Sequence, residues 1–74
     1  MSFAKNLHNR RKKLGLSAEE LAKRVHVSRS YITLLESGKR SPGKTLLSRI
    51  ARALKLEKKV VVGWYLADQK EKLR

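Results

Sequence analysis

The sequence predicts an all-α domain, a bundle of four to five short helices. Apolar residues recur at helical spacing in successive short segments, and those segments are separated by residues that start or stop helices. A chain of 74 residues has room for a single small core.

In the first segment Phe3, Leu7 and Leu14 share a helical stripe, Lys5, Asn9, Lys12 and Lys13 turn outward, and Gly15 ends the helix. Ser17 and Glu20 form a capping box, the hydroxyl and carboxylate each meeting a backbone donor that a helix start leaves free. A second helix therefore begins near Ala18, with Leu21, Ala22 and Val25 inward and Glu19, Lys23 and Arg24 outward. Two turns are too few to hold alone, so neighbours must support it.

Ser28 caps a third helix whose inward residues are Tyr31, Ile32 and Leu35 and whose left-handed end is Ser37-Gly38. The stretch from Lys39 to Lys44, which contains Pro42, reads as an exposed loop with cations available to phosphate. Leu47, Ile50, Ala51 and Leu54 then repeat at i, i+3, i+4, i+7, placing Ser48, Arg49, Arg52 and Lys55 on the other side of a fourth helix. From Glu57 onward two patterns compete. Val60, Val61 and Val62 favour a strand, while Trp64, Ala67 and the charged run from Asp68 to Arg74 favour a helix. Helix is preferred; a strand pairing with a symmetry mate is the alternative.

Nineteen Lys and Arg against six Asp and Glu give a net charge of +13. Such a charge opposes compaction unless a polyanion is near, which makes nucleic acid the leading partner. Without cysteine there are no disulfides, thiol nucleophiles or thiolate metal sites. No apolar run approaches the roughly 20 residues of a membrane span, and MSFAKNLHNRRKK lacks the hydrophobic block of a secretion signal. A cytoplasmic protein with no membrane partner is expected. His8 and His26 fall in separate elements without spaced carboxylates, and no glycine-rich phosphate loop is present. The expectation is a non-enzyme with no cofactor and no metal, both imidazoles being solvated. The basic residues are spread over several short helices, which argues against a membrane-surface helix.

Two helices joined by a tight turn need a small residue where they cross, a tolerant residue in the turn and a branched apolar residue locking the second helix. Ala22, His26 and Ile32 fill these places, and with Leu21, Val25, Val27 and Leu35 the stretch 18–37 matches a helix-turn-helix. A left-handed His26 would carry a cost of about 1 kcal/mol relative to glycine.

Residues 6–54 resemble the Xre/Cro family of lambda-repressor-like DNA-binding domains, through the elements LA (21–22), S-x-x-Y-I (28–32), LE-x-GKR-x-P (35–42) and I-A-x-A-L (50–54). The resemblance implies a DNA-binding domain over 1–56, with 57–74 as a C-terminal helix or extension that could serve dimerisation. It implies sequence-specific binding of double-stranded operator DNA, as a homodimer, to regulate transcription, with repression the expected mode. Arg11 and Glu36 look like the pair that the family uses as scaffold. Three positions depart from the pattern: Ala18 stands where glutamine is frequent, His26 replaces the turn glycine, and Lys44 replaces an apolar residue.

The helix from Arg29 to Glu36 is then the one that enters the major groove, with Arg29, Ser30, Thr33 and Leu34 facing bases. Arg29 can take the O6 and N7 acceptors of a guanine or bind a phosphate instead. Expected phosphate contacts are Ser28, Lys39, Arg40, Ser41 and Lys44, the helix start at Ala18, and the hydroxyl of Tyr31 unless that ring is core alone. Val60, Val61, Trp64 and Tyr65 are the expected dimer surface. The competing function is a protein-interaction module, such as an antitoxin or coactivator, binding a partner through Val60 to Leu66.

Overall fold

Five helices follow one another in the computed structural model, which describes residues 2–72: α1 (Ser2–Lys13), α2 (Ala18–Val25), α3 (Arg29–Glu36), α4 (Lys44–Ala53) and α5 (Lys58–Lys72). No strand occurs among the described residues.

The starts of α2 and α3 are set by side chains. Ser17 Oγ accepts from the Glu20 N–H at 3.0 Å while Glu20 Oε1 accepts from the Ser17 N–H at 2.9 Å, completing the capping box of α2. These bonds hold the exposed Glu20 carboxyl below its ordinary range, the Ser17 N–H contributing most. Ser28 Oγ accepts from the Tyr31 N–H at 3.1 Å and starts α3. The ends share one device. Gly15, His26, Gly38 and Lys55 all take a left-handed backbone. The residue after each donates to the carbonyl five residues back, at 3.1, 3.0, 3.0 and 2.9 Å for Leu16, Val27, Lys39 and Leu56. At His26 (φ 61°) and Lys55 (φ 57°) a Cβ sits in a conformation that glycine adopts without strain.

Leu7, Leu21, Val25, Ile32, Leu35, Ile50, Leu54 and Val61 are fully buried and form the centre of the core. Helix α2 packs on α3 and α4, α1 packs on α3, and α5 lies across both α1 and α4. The two-turn α2 thus has neighbours on two sides, as its length demands. Leu16, Leu46 and Ala53, not counted inward from the sequence, are also buried, and Leu14 is only partly so.

The tail resolves as helix over Lys58–Lys72; the end of the charged run at Arg74 lies outside the described residues. Val61 is wholly buried in the core, and Trp64 meets Phe3 edge-on with ring centroids 6.4 Å apart. Packing outweighs the strand preference of three β-branched residues. Through α5 the chain packs back onto α1 and α4 and adds Val61 to the core. Asp68, read from sequence as part of a charged run, is buried and accepts a hydrogen bond from the Phe3 N–H at 3.1 Å. A carboxylate at the first turn of α1 meets an orphan donor and the positive end of the helix dipole.

Because the left-handed His26 carries a Cβ penalty, His26→Gly is expected to stabilise the domain by about 1 kcal/mol. Thermal unfolding followed by circular dichroism should show Tm rising by about 4–8 °C.

Candidate nucleic-acid interface

Helix α3 is held from behind. Arg11, on α1, is 8% exposed. Its guanidinium grips Glu36, the last residue of α3, in two places: Nε donates to Oε2 at 2.7 Å and Nη2 to Oε1 at 2.9 Å. Nη1 donates to the Leu16 carbonyl at 2.8 Å, tying the α1–α2 connection to the same group. The parallel fork is the geometry that arginine and carboxylate share, and lysine cannot reproduce it. Glu36 is also approached by His8 Nδ1, 2.7 Å from Oε1. At that distance from a carboxylate Nδ1 must carry the proton and donate, so the 3.3 Å approach of Arg11 Nη2 to the same nitrogen sets two donors side by side and is no bond. His8, expected to be solvated, is thus a third member of the bridge. Its spacing to Arg11, one turn along α1, was the available signal.

Burial alone would raise the Glu36 carboxyl, but hydrogen bonds from Arg11 and His8, and their charges, hold it below the usual carboxylate range. The hydrogen bond to Glu36 in turn raises the Arg11 guanidinium, against the effect of burial. With its one acidic residue turned toward α1, α3 shows no negative charge on its outer face.

That outer face is polar. Ile32 and Leu35 are fully buried, whereas Arg29, Ser30 and Thr33 are exposed along one stripe. Thr33 Oγ1 donates to the Arg29 carbonyl at 3.3 Å, which leaves the hydroxyl oxygen as an acceptor. Ser37 extends the stripe. It is exposed, lies at i+7 from Ser30, and donates its hydroxyl to the Leu34 carbonyl at 3.1 Å. The sequence reading missed it by treating it only as a cap. Leu34 is half-buried at the margin of the stripe, and Tyr31 packs against the core.

Around the stripe, Ser28 spends an oxygen lone pair on its cap and keeps its O–H to donate. Lys39, Arg40 and Ser41 are exposed in the segment after α3, where the backbone N–H groups of Lys39 and Arg40 both donate to the Leu34 carbonyl, at 3.0 and 3.3 Å, and Pro42 is buried. The loop is thereby anchored while its cations stay in solvent. Two expected members sit differently. Lys44 is the first residue of α4, not part of the loop, and follows an N-cap, Gly43, that offers no side-chain acceptor. Ala18 packs its methyl against the core, so only its backbone is on offer to an anion. Of the expected dimer residues, Val61 is unavailable because it fills the core, and Trp64 and Tyr65 pack against that core; Val60, at 38% exposed, and Leu66, at 52%, are the large apolar residues left outside. Among the described residues no group of three or more His, Cys, Asp or Glu is placed to hold a metal ion. No described helix is long and apolar enough to cross a membrane.

A family model described as helix-turn-helix matches residues 7–59. An uncharacterized HTH-type transcriptional regulator of Methanothermobacter thermautotrophicus is 54% identical over 48 residues, 65% of this chain and 70% of the relative. One from Archaeoglobus fulgidus is 50% identical over 42 residues, 57% of this chain and 60% of the relative. Among solved structures, the restriction-modification controller protein C.AhdI from Aeromonas hydrophila aligns with a TM-score of 0.77 and 32% identity, covering 81% of this chain and 91% of that one. The clp gene regulator ClgR from C. glutamicum aligns with a TM-score of 0.76 and 25% identity, covering 90% and 87%.

The bridge gives an expected pH response. Glu36 has its folded pKa depressed, so its stabilisation is full above the unfolded carboxylate value of about 4.3 and is lost as pH falls through the folded one. Glu36→Gln is expected to lower stability at neutral pH by about 3 kcal/mol, by stranding Arg11. It should also flatten the acid limb of a Tm-against-pH curve; an unchanged acid limb would remove Glu36 from the account.

Proposed function

The chain belongs to the helix-turn-helix family of the Xre and lambda-repressor type, matched over residues 7–59, and on that premise we propose that it regulates transcription by laying α3 in the major groove of duplex DNA. It is a DNA-binding transcriptional regulator, and the family is one of regulators rather than enzymes. The observation that carries the reading of the site is the outer face of α3: three exposed polar side chains, Arg29, Ser30 and Thr33, no exposed acid, and cations at both ends.

In this reading Arg29 takes guanine acceptors, Ser30 and Thr33 hydrogen-bond to base edges, and Leu34 meets a thymine methyl from the edge of the stripe. Ser28, Lys39, Arg40, Ser41 and Lys44, the backbone at Ala18 and the Tyr31 hydroxyl bind phosphates and fix the register. Placing Arg29 at the first position of α3 opposes the helix dipole in the free protein, a conflict that bound DNA reverses. One eight-residue helix reads few base pairs. Two copies, with their α3 helices about 34 Å apart, would read half-sites one turn apart. Val60 and Leu66 supply apolar surface for that pairing. Repression by occupying a promoter is the mode we propose, and the cytoplasm the proposed location. A partner module working through Val60 to Leu66 is disfavoured, since Val61 and Trp64 are committed to the chain's own core.

Titrating variants against a bound duplex and its single-base changes separates the roles. Arg29→Ala should erase about 1–3 kcal/mol of preference at one base position, whereas Lys39→Ala should weaken all duplexes alike and reduce the salt slope by about 1. Exchange of these two behaviours would invert the assignment.

A further inference from the structure

A groove of about 780 Å³ is lined by Arg24 from α2, by Lys44, Arg49 and Arg52 from α4, and by Lys58 from α5. Thr45 and Ser48 add hydroxyls, and His26 adds an imidazole from the α2–α3 turn. No lining residue is acidic, and none of the five cations enters an ion pair formed among the described residues.

This arrangement is unfavourable in isolation in three ways. Arg49 and Arg52 are a like-charge pair one turn apart on α4. Lys44 and Lys58 each occupy the first position of a helix, where the dipole opposes a cation. The first turn of α4, capped by Gly43, has no side-chain acceptor for its backbone donors. An anion in the groove turns each of these into an attraction. Shape decides what kind of anion. A concavity of about 780 Å³ is in the range of small-molecule sites, about 300–1,000 Å³. Five cations around one groove call for more negative charge than a single phosphate carries, and a chain of phosphates supplies it.

We propose that this groove binds a compact polyphosphate, either an inorganic chain or the phosphate chain of a nucleotide. The site is separate from the outer face of α3, so its occupancy does not require that face to bind DNA. Lys44 belongs to both the groove and the phosphate clamp, which couples a bound polyphosphate to the affinity for duplex.

Calorimetric titration of the full chain with inorganic tripolyphosphate, with adenosine triphosphate in parallel, tests this. The expected result is one bound molecule per chain. The Arg49→Gln/Arg52→Gln variant should bind about tenfold more weakly or worse. Lys5→Gln/Lys12→Gln, which removes the same charge from exposed positions on α1, should bind like the parent. Tighter binding of the nucleotide assigns the groove to nucleotides; equal binding shows that the phosphate chain alone is recognised, and tighter binding of tripolyphosphate assigns the groove to the inorganic chain. Equal weakening in both double variants, or several molecules bound per chain, would mean attraction by net charge alone and would overturn the proposal. So would a groove variant that loses duplex affinity as Lys39→Ala does while binding tripolyphosphate like the parent, since the groove would then be a contact to the DNA backbone.

Discussion

The forked bond between Arg11 and Glu36 is the constraint on which the reading surface depends. Eight-residue helices do not persist alone, and α3 keeps its place through Ile32 and Leu35 beneath it and Glu36 at its end. The apolar contacts fix how deep the helix lies; the fork fixes its rotation and end position, because two parallel hydrogen bonds have direction where packing has little. The same bond removes the acid of α3 from the surface. A structural pair thereby makes the outer face electrostatically fit for a polyanion.

Charge is the second organising fact. With +13 on 74 residues, the free protein carries repulsion that a core of this size must overcome. Cations at the first positions of α3, α4 and α5, namely Arg29, Lys44 and Lys58, add to it. Such features oppose folding but favour binding a polyanion, and on the proposed reading phosphate relieves that strain at α3, the loop after it and the α4 groove. The folded state is built partly for its complexes, as local conflict at functional sites leads one to expect.

Local features were legible in the sequence because they are carried by residues near in the chain. The capping box of Ser17 and Glu20, the Ser28 cap, the left-handed turn at His26 and the periodic apolar face of α4 need only short-range chemistry. Long-range choices were harder to read. Whether Val60 to Val62 form strand or helix depends on Val61 meeting a core built by four other helices, and no local propensity encodes that. The same burial withdrew Val61 from the expected dimer surface. His8 looked solvated because its partner lies 28 residues away, and Asp68 looked like part of a charged tail because the donor it serves lies 65 residues back. Lys44 reads as loop in the sequence because Gly43 hides a helix start behind a residue with no capping side chain. At the interface the exposed polar stripe was visible from periodicity, except Ser37, whose role as a cap hid that it also continues the face.

The central claim is that α3 reads base sequence and does not merely add to a basic surface. Selecting bound duplexes from a random pool, then titrating the enriched sequence against its scrambled counterpart at two salt concentrations, tests it most directly. The account predicts an enriched inverted repeat with half-sites one helical turn apart, and a preference over the scrambled duplex that persists at the higher salt. Binding of all duplexes alike, with steep loss of affinity in salt and no enriched motif, would contradict it.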